Sequence, residues 1–198
     1  MIGNSLYTLA LGLLFATAIH AKQPNILFIF ADDHSYEAIG KLGILDIDTP
    51  NIDRLMEAGT SFTHAYNMGS WTGAVCIASR TMLNTGTTVW RAPRNRRTFN
   101  EQVQAGSTWS QLLKGAGYQT YMTGKWHLPS NVSDIFDVVA DVRPGMPEDF
   151  PEGYKRPLDE AAYDAGWKPW DHKWGGFWEG GTHWSEIIAD HAQEFLAE

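Results

Sequence analysis

One cysteine, Cys76, is present in 198 residues, which excludes both a disulfide framework and a thiolate zinc site. Positive charge is also scarce. Fifteen Lys and Arg against 23 Asp and Glu give a formal net charge of −8, which argues against a nucleic-acid partner, because phosphate backbones demand a basic excess. Residues 1–21 carry no charged side chain at all. Their apolar run, Leu6 to Ala18, is shorter than the roughly 20 residues a membrane span needs, so no stable membrane anchor is expected. It has the length of a secretory signal's apolar region, and it ends in small residues before the break at Lys22-Gln23-Pro24. Residues 1–21 are therefore expected to direct export, periplasmic or secreted, with removal near Ala21. What is plentiful is tryptophan: nine in all, five of them from Trp167 to Trp184.

The remaining pattern predicts an α/β fold. Asn25 to Ala31 is a continuous apolar run, expected to be a strand buried on both faces. Thr49 to Gly59 has a capping threonine, Pro50 in the first turn and a terminal glycine, so it predicts a helix with Ile52, Leu55 and Met56 on its buried stripe. Ser61 to Tyr66 is expected to be a second strand. A helix from about Thr108 to Lys114, a Gly115-Ala116-Gly117 turn and a strand Tyr118 to Thr123 complete the regular alternation. Beyond Asp134 the periodicity fades, and 141–184 has the composition of a Trp-, Gly- and Pro-rich insertion. From Ser185 a helix is expected, with Ile187, Ile188, His191, Ala192, Phe195 and Leu196 on one face. It runs to Glu198 without a stop signal, so the sheet is expected to be incomplete at the C-terminus.

Three groups of residues carry chemistry. Asp32 and Asp33 follow the first expected strand, where sites form in open α/β sheets. Adjacent carboxylates suit a hard divalent cation, calcium or magnesium, although one capping a turn and one solvated is an equal alternative. Cys76 precedes an expected helix, Ser79 to Leu83, where free N–H groups favour an anion, and Arg80 lies one turn on. A single cysteine is also commonly an inert buried hydrophobe. Gly124-Lys125-Trp126-His127-Leu128 closes the third strand. In extended chain Lys125 and His127 point one way, Trp126 and Leu128 the other. A cation and a titratable donor on one face suit an anionic substrate.

Asp-Asp after strand one, Cys-x-x-Ser-Arg at a helix start and Gly-Lys-Trp-His-Leu occur in that order. This resembles the N-terminal part of the type I, formylglycine-dependent sulfatases of the alkaline-phosphatase-like superfamily. Pro24-Asn25-Ile26-Leu27, Thr49-Pro50-Asn51-Ile52-Asp53-Arg54-Leu55 and Gly117-Tyr118-Gln119-Thr120 look like the same family. The resemblance implies an alkaline-phosphatase-like sandwich with a central, mostly parallel sheet, of which residues 22–198 form the front part. It implies that Asp32 and Asp33 bind calcium in preference to magnesium. It also implies that a formylglycine-generating enzyme converts Cys76 to formylglycine, at once nucleophile and metal ligand. By the same similarity Arg80, Lys125 and His127 contact that group and the sulfate oxygens. Ala78 stands where the family's modification signal usually has proline, and Pro129 where glycine usually follows the histidine motif.

The expected substrate is a sulfated carbohydrate or another sulfate ester. Trp167, Trp170, Trp174, Trp178 and Trp184, with His172 and His183, would mostly pack the insertion, with one or two at the pocket mouth. Arg91, Arg94, Arg96 and Arg97 form a basic cluster, either solvated or attractive to a polyanion. His34 is placed to touch substrate or to make a structural hydrogen bond, and Asn131-Val132-Ser133 matches a glycosylation acceptor. The alternatives are a formylglycine-dependent phosphodiester or phosphonate hydrolase, and a non-catalytic glycan-binding remnant. Because a second histidine and further metal ligands cannot be placed, the 198 residues alone are expected to turn over little or no substrate.

Overall fold

The computed structural model describes residues 23–145 and 182–197. The signal-like segment 1–21 lies outside them, as do Trp167, Trp170, His172, Trp174 and Trp178 of the expected insertion. No helix among the described residues is long and apolar enough to cross a membrane. The chain divides into two compact units, residues 1–59 and 60–198.

In the first unit, α1 spans Pro50–Ala58. Its start is tied to a preceding 3-10 turn, Gly40–Leu42. The Thr49 hydroxyl accepts from the Gly40 amide at 2.8 Å and donates to the Asp53 carboxylate at 2.8 Å. Asp53 also accepts from the Lys41 amide at 3.0 Å. Gly40 is required by this close approach, since a Cβ there would lie 2.6 Å from the Ile47 carbonyl oxygen. Two expectations are corrected. Leu55 is 65% exposed, so the buried stripe of α1 is confined to the half-buried Ile52 and Met56. Asn25 to Ala31 is not a strand, and Ile26 to Phe30 are all exposed. A central strand needs ladder partners on either side, and no described residue of this unit provides one.

The second unit carries α2 (Val75–Thr85), α3 (Ala92–Arg97), α4 (Phe99–Gln104), α5 (Trp109–Gly115), β1 (Tyr121–Lys125), β2 (Val138–Arg143) and α6 (Trp184–Ala197). The expected strand at Ser61 to Tyr66 is absent, with Phe62 and Tyr66 both highly exposed and no strand paired to the segment among the described residues. α5 forms as its sequence predicts. Thr108 and Gln111 make a reciprocal capping box that satisfies the otherwise unpaired first-turn donors. The strand after it begins and ends later than expected, at Tyr121 and Lys125. Of the residues expected on one face of α6, Leu196 is largely exposed.

β1 and β2 pair in parallel, giving helices around a small parallel sheet. Trp126, Leu128, Val132, Ile135 and Phe136, from the crossover joining the strands, bury against Phe99 and Val103 of α4. Trp126 meets Phe136 edge-on at 6.0 Å. The register shifts at Thr123/Gly124, and Asp141 is the extra residue on β2, in left-handed conformation with φ 46°. Its carboxylate accepts from the indole N–H of buried Trp184 at 2.5 Å, which docks α6 on the sheet.

Gly124, opposite that bulge, has φ 94°, and a Cβ there would sit 3.2 Å from Ile188 Cδ1 of α6. The isoleucine tip can shift, but the backbone conformation penalises any side chain. Gly124→Ala is therefore expected to cost about 1–2 kcal/mol, read by denaturant unfolding. An unchanged midpoint would contradict this.

Asp137 fixes the strand starts. Its carboxylate takes the Lys114 ammonium at 2.8 Å and accepts from the Thr120 amide at 2.9 Å and hydroxyl at 2.8 Å. The Lys114 hydrogen bond, then the Thr120 amide, hold its carboxyl below the ordinary carboxylate range. A depressed folded value means the stabilisation is present above the unfolded carboxylate pKa, about 4, and is lost as pH falls through the folded value. Thermal unfolding of Asp137→Asn against the parent should show a gap at neutral pH that closes in acid. A gap that widens in acid would refute the assignment.

Candidate active site

The loop before α2 is a run of short-range turns. Asn67 Oδ1 accepts from the Gly69 amide at 2.6 Å, Ser70 Oγ from Thr72 at 3.1 Å, and Thr72 Oγ1 from Ala74 at 3.0 Å. They deliver the chain into α2 with Ala74 as N-cap, a residue without a side-chain acceptor for the first-turn N–H groups. α2 starts four residues before the expected Ser79, so Cys76 sits inside its first turn. Ala78 and Thr81 are fully buried on the inner face of α2, and Cys76 is half-buried.

Sequence distance of about fifty residues closes here. Cys76 Sγ lies 3.3 Å from His127 Nδ1. Arg80, one turn further along α2 and only 5% exposed, donates from Nε to the Lys125 carbonyl oxygen at 3.2 Å. The helix start and the strand end are thus joined by two contacts, one of them through a buried cation.

The expected alternation at this strand end survives in burial: Trp126 and Leu128 are in the core, Lys125 and His127 are not. Extended geometry does not survive. β1 stops at Lys125, and His127 takes φ 59°, a left-handed conformation that costs a residue other than glycine of order 1 kcal/mol or more. The buried neighbours fix it there, along with the Trp126 amide bonded to the Arg143 carbonyl at 2.9 Å and the Trp126 indole bonded to the Ser130 carbonyl at 3.0 Å.

Asp32 and Asp33 belong to the other unit, on an exposed bend where Asp33 has φ 55°. Their oxygens fit a hard cation in donor type, and would supply only part of the about six to eight oxygens such an ion takes. Among the described residues no group of three or more His, Cys, Asp or Glu side chains could hold a metal. His34 makes a structural hydrogen bond, Nε2 to the Ala38 carbonyl at 2.9 Å.

The family model for Sulfatase matches residues 24–198. The chain belongs to the Sulfatase family. It is 32% identical over 185 residues to the N-acetylglucosamine-6-O-sulfatase of Bacteroides thetaiotaomicron, covering 88% of this chain and 28% of that protein. It is 39% identical over 115 residues to the N-acetylgalactosamine-6-O-sulfatase of the same bacterium, 55% of this chain and 21% of that one. Arylsulfatase A of Bos taurus is 36% identical over 134 residues, 63% and 25% respectively. The chain therefore spans about a quarter of the length of these curated relatives. No solved structure matches it significantly.

In this sulfatase-family chain the sequence alone did not single out Thr123. Its hydroxyl is buried and without a hydrogen-bond partner among the described residues. It stands two residues before Lys125 on β1, and the two-residue period of a strand was the available signal.

Proposed function

We propose that this sulfatase-family protein hydrolyses sulfate esters, with sulfated carbohydrate as the substrate class, at a centre formed by Cys76, Arg80, Lys125 and His127. The observation that carries the proposal is the contact of Cys76 with His127, made where a cation-bearing strand end meets a helix N-terminus. A sulfate monoester is anionic and repels nucleophiles, so preorganised positive charge must precede attack. Lys125, whose carbonyl is held by Arg80, would contribute its ammonium charge at this strand end. Arg80 adds charge and positions the strand end through the Lys125 carbonyl. His127 Nδ1 exchanges a hydrogen bond with the Cys76 side chain and can hold a proton there. Conversion of Cys76 to formylglycine would supply an oxygen nucleophile that a thiol lacks, and the same imidazole would be its hydrogen-bond partner. Asp32 and Asp33 would hold calcium, a divalent charge of the kind that neutralises ester oxygens. Residues 1–21 would direct export. The two Bacteroides relatives, named for the 6-O-sulfates of amino sugars, support the carbohydrate class.

The test is a parallel assay of the full-length protein on an aryl sulfate and an aryl phosphodiester. Preferential sulfate release is expected. Preference for the phosphodiester would move the protein to the diesterase alternative, and no hydrolysis of either would favour an idle glycan-binding remnant.

A further inference from the structure

At the far end of α2 from Cys76 the chain builds a second surface. Ten residues of helix, about 15 Å along the axis, separate Cys76 from Gly86, the left-handed cap with φ 61°. There Gly86, Thr87, Thr88, Trp90 and Arg91 line an open recess of about 380 Å³. Trp90 is 85% exposed, yet its backbone is not loose. Val89 and Ala92 on either side are buried, and the amides of Arg91 and Ala92 both bond to the Thr88 carbonyl, at 3.0 and 3.1 Å. Asn95 of α3 ties back to the recess, its Nδ2 donating to Thr87 Oγ1 at 3.0 Å. Arg91 at the N-cap of α3 and Arg94 and Arg97 within it recur at three-residue spacing, so neighbouring guanidinium groups share a stripe that starts at the recess. All three are exposed, and none has an acidic partner among the described residues.

An indole presented rigidly to solvent is a platform for the apolar face of a sugar ring, with one wet edge and one apolar face. Planar guanidinium groups match the oxygens of sulfate as they do those of carboxylate and phosphate. In a protein of net charge −8, a local basic stripe beside an exposed tryptophan selects an anionic sugar over a neutral one. We propose that Trp90, Arg91, Arg94 and Arg97 form a subsite for a sulfated polysaccharide, remote from the reacting ester and holding another part of the same chain. This rests on the sulfated-carbohydrate reading of the active site and adds to it a preference for polymer over small esters.

The test uses the full-length protein carrying Cys76→Ala, so that binding is measured without turnover. Labelled dextran sulfate and unsulfated dextran are titrated at several salt concentrations, with poly-uridylate as a non-carbohydrate polyanion. Dextran sulfate is expected to bind and unsulfated dextran not to bind. The triple variant Arg91→Ala/Arg94→Ala/Arg97→Ala should weaken dextran sulfate by about tenfold or more and flatten the salt dependence by about two logarithmic units per decade. Trp90→Ala should weaken it severalfold, and all four side chains are exposed, so circular dichroism should be unchanged. An unchanged Kd in the triple variant overturns the proposal. So does poly-uridylate binding as tightly as dextran sulfate with Trp90→Ala without effect, since the stripe would then be a general polyanion surface. In the Cys76-containing protein, the triple variant should raise KM for a sulfated polymer and leave kcat/KM on an aryl sulfate unchanged. Loss of aryl sulfate turnover in every form with polymer binding intact would sink the hydrolase reading and leave the subsite standing.

Discussion

Cys76→Ala is expected to lower aryl sulfate turnover by the full-length protein at least about 10³-fold, as removal of a nucleophile does, while the melting temperature stays close to the parent. The two effects separate because the cysteine is half-buried in a helical first turn, and alanine keeps the helix and the inner-face packing of Ala78 and Thr81. What is lost is the group 3.3 Å from His127 Nδ1. An inert core cysteine would give the opposite result, with stability reduced and turnover kept. Steady-state kinetics beside thermal unfolding distinguish them.

Arg80→Ala is expected to damage both properties. The side chain is almost wholly buried and its Nε holds the Lys125 carbonyl at 3.2 Å, so truncation removes a charged hydrogen bond and the packing of the stem. A charged hydrogen bond is worth about 1.5–3 kcal/mol, which for a chain of this size corresponds to a fall of roughly 3–12 °C in Tm. Activity should fall further than stability explains, because the strand end carrying Lys125 and His127 loses its anchor to the Cys76 helix. Arg80→Lys keeps the charge without the planar fork and should fall between the two. Unchanged Tm and kcat in Arg80→Ala would show that the contact positions nothing.

Local signals read well where the cause is local. The capping pair Thr108 and Gln111 set α5, and the Gly115-Ala116-Gly117 turn placed a strand after it, offset by two or three residues. The alternation Lys125-Trp126-His127-Leu128 correctly separated the buried Trp126 and Leu128 from the half-buried Lys125 and His127. Signals that depend on distant partners failed. The apolar run at Ile26 to Phe30 promised a buried strand, but burial requires neighbours that no residue pattern inside the run can supply. β2 is hidden in the sequence because Asp141, the extra residue of a bulge, interrupts Val138-Val139-Ala140 and Val142 with a charge. The left-handed turn at His127 was hidden too, since it is imposed by the burial of Trp126 and Leu128 on either side. Of the six candidate site residues, Cys76 pairs with His127 and Arg80 with Lys125 within one unit, whereas Asp32 and Asp33 lie in the other.

The most direct test is peptide mass spectrometry across Cys76 in protein that turns over an aryl sulfate. The predicted result is a peptide whose mass carries an aldehyde in place of the thiol, with turnover rising in proportion to its fraction. Full activity from protein in which every Cys76 remains a thiol would contradict the central claim.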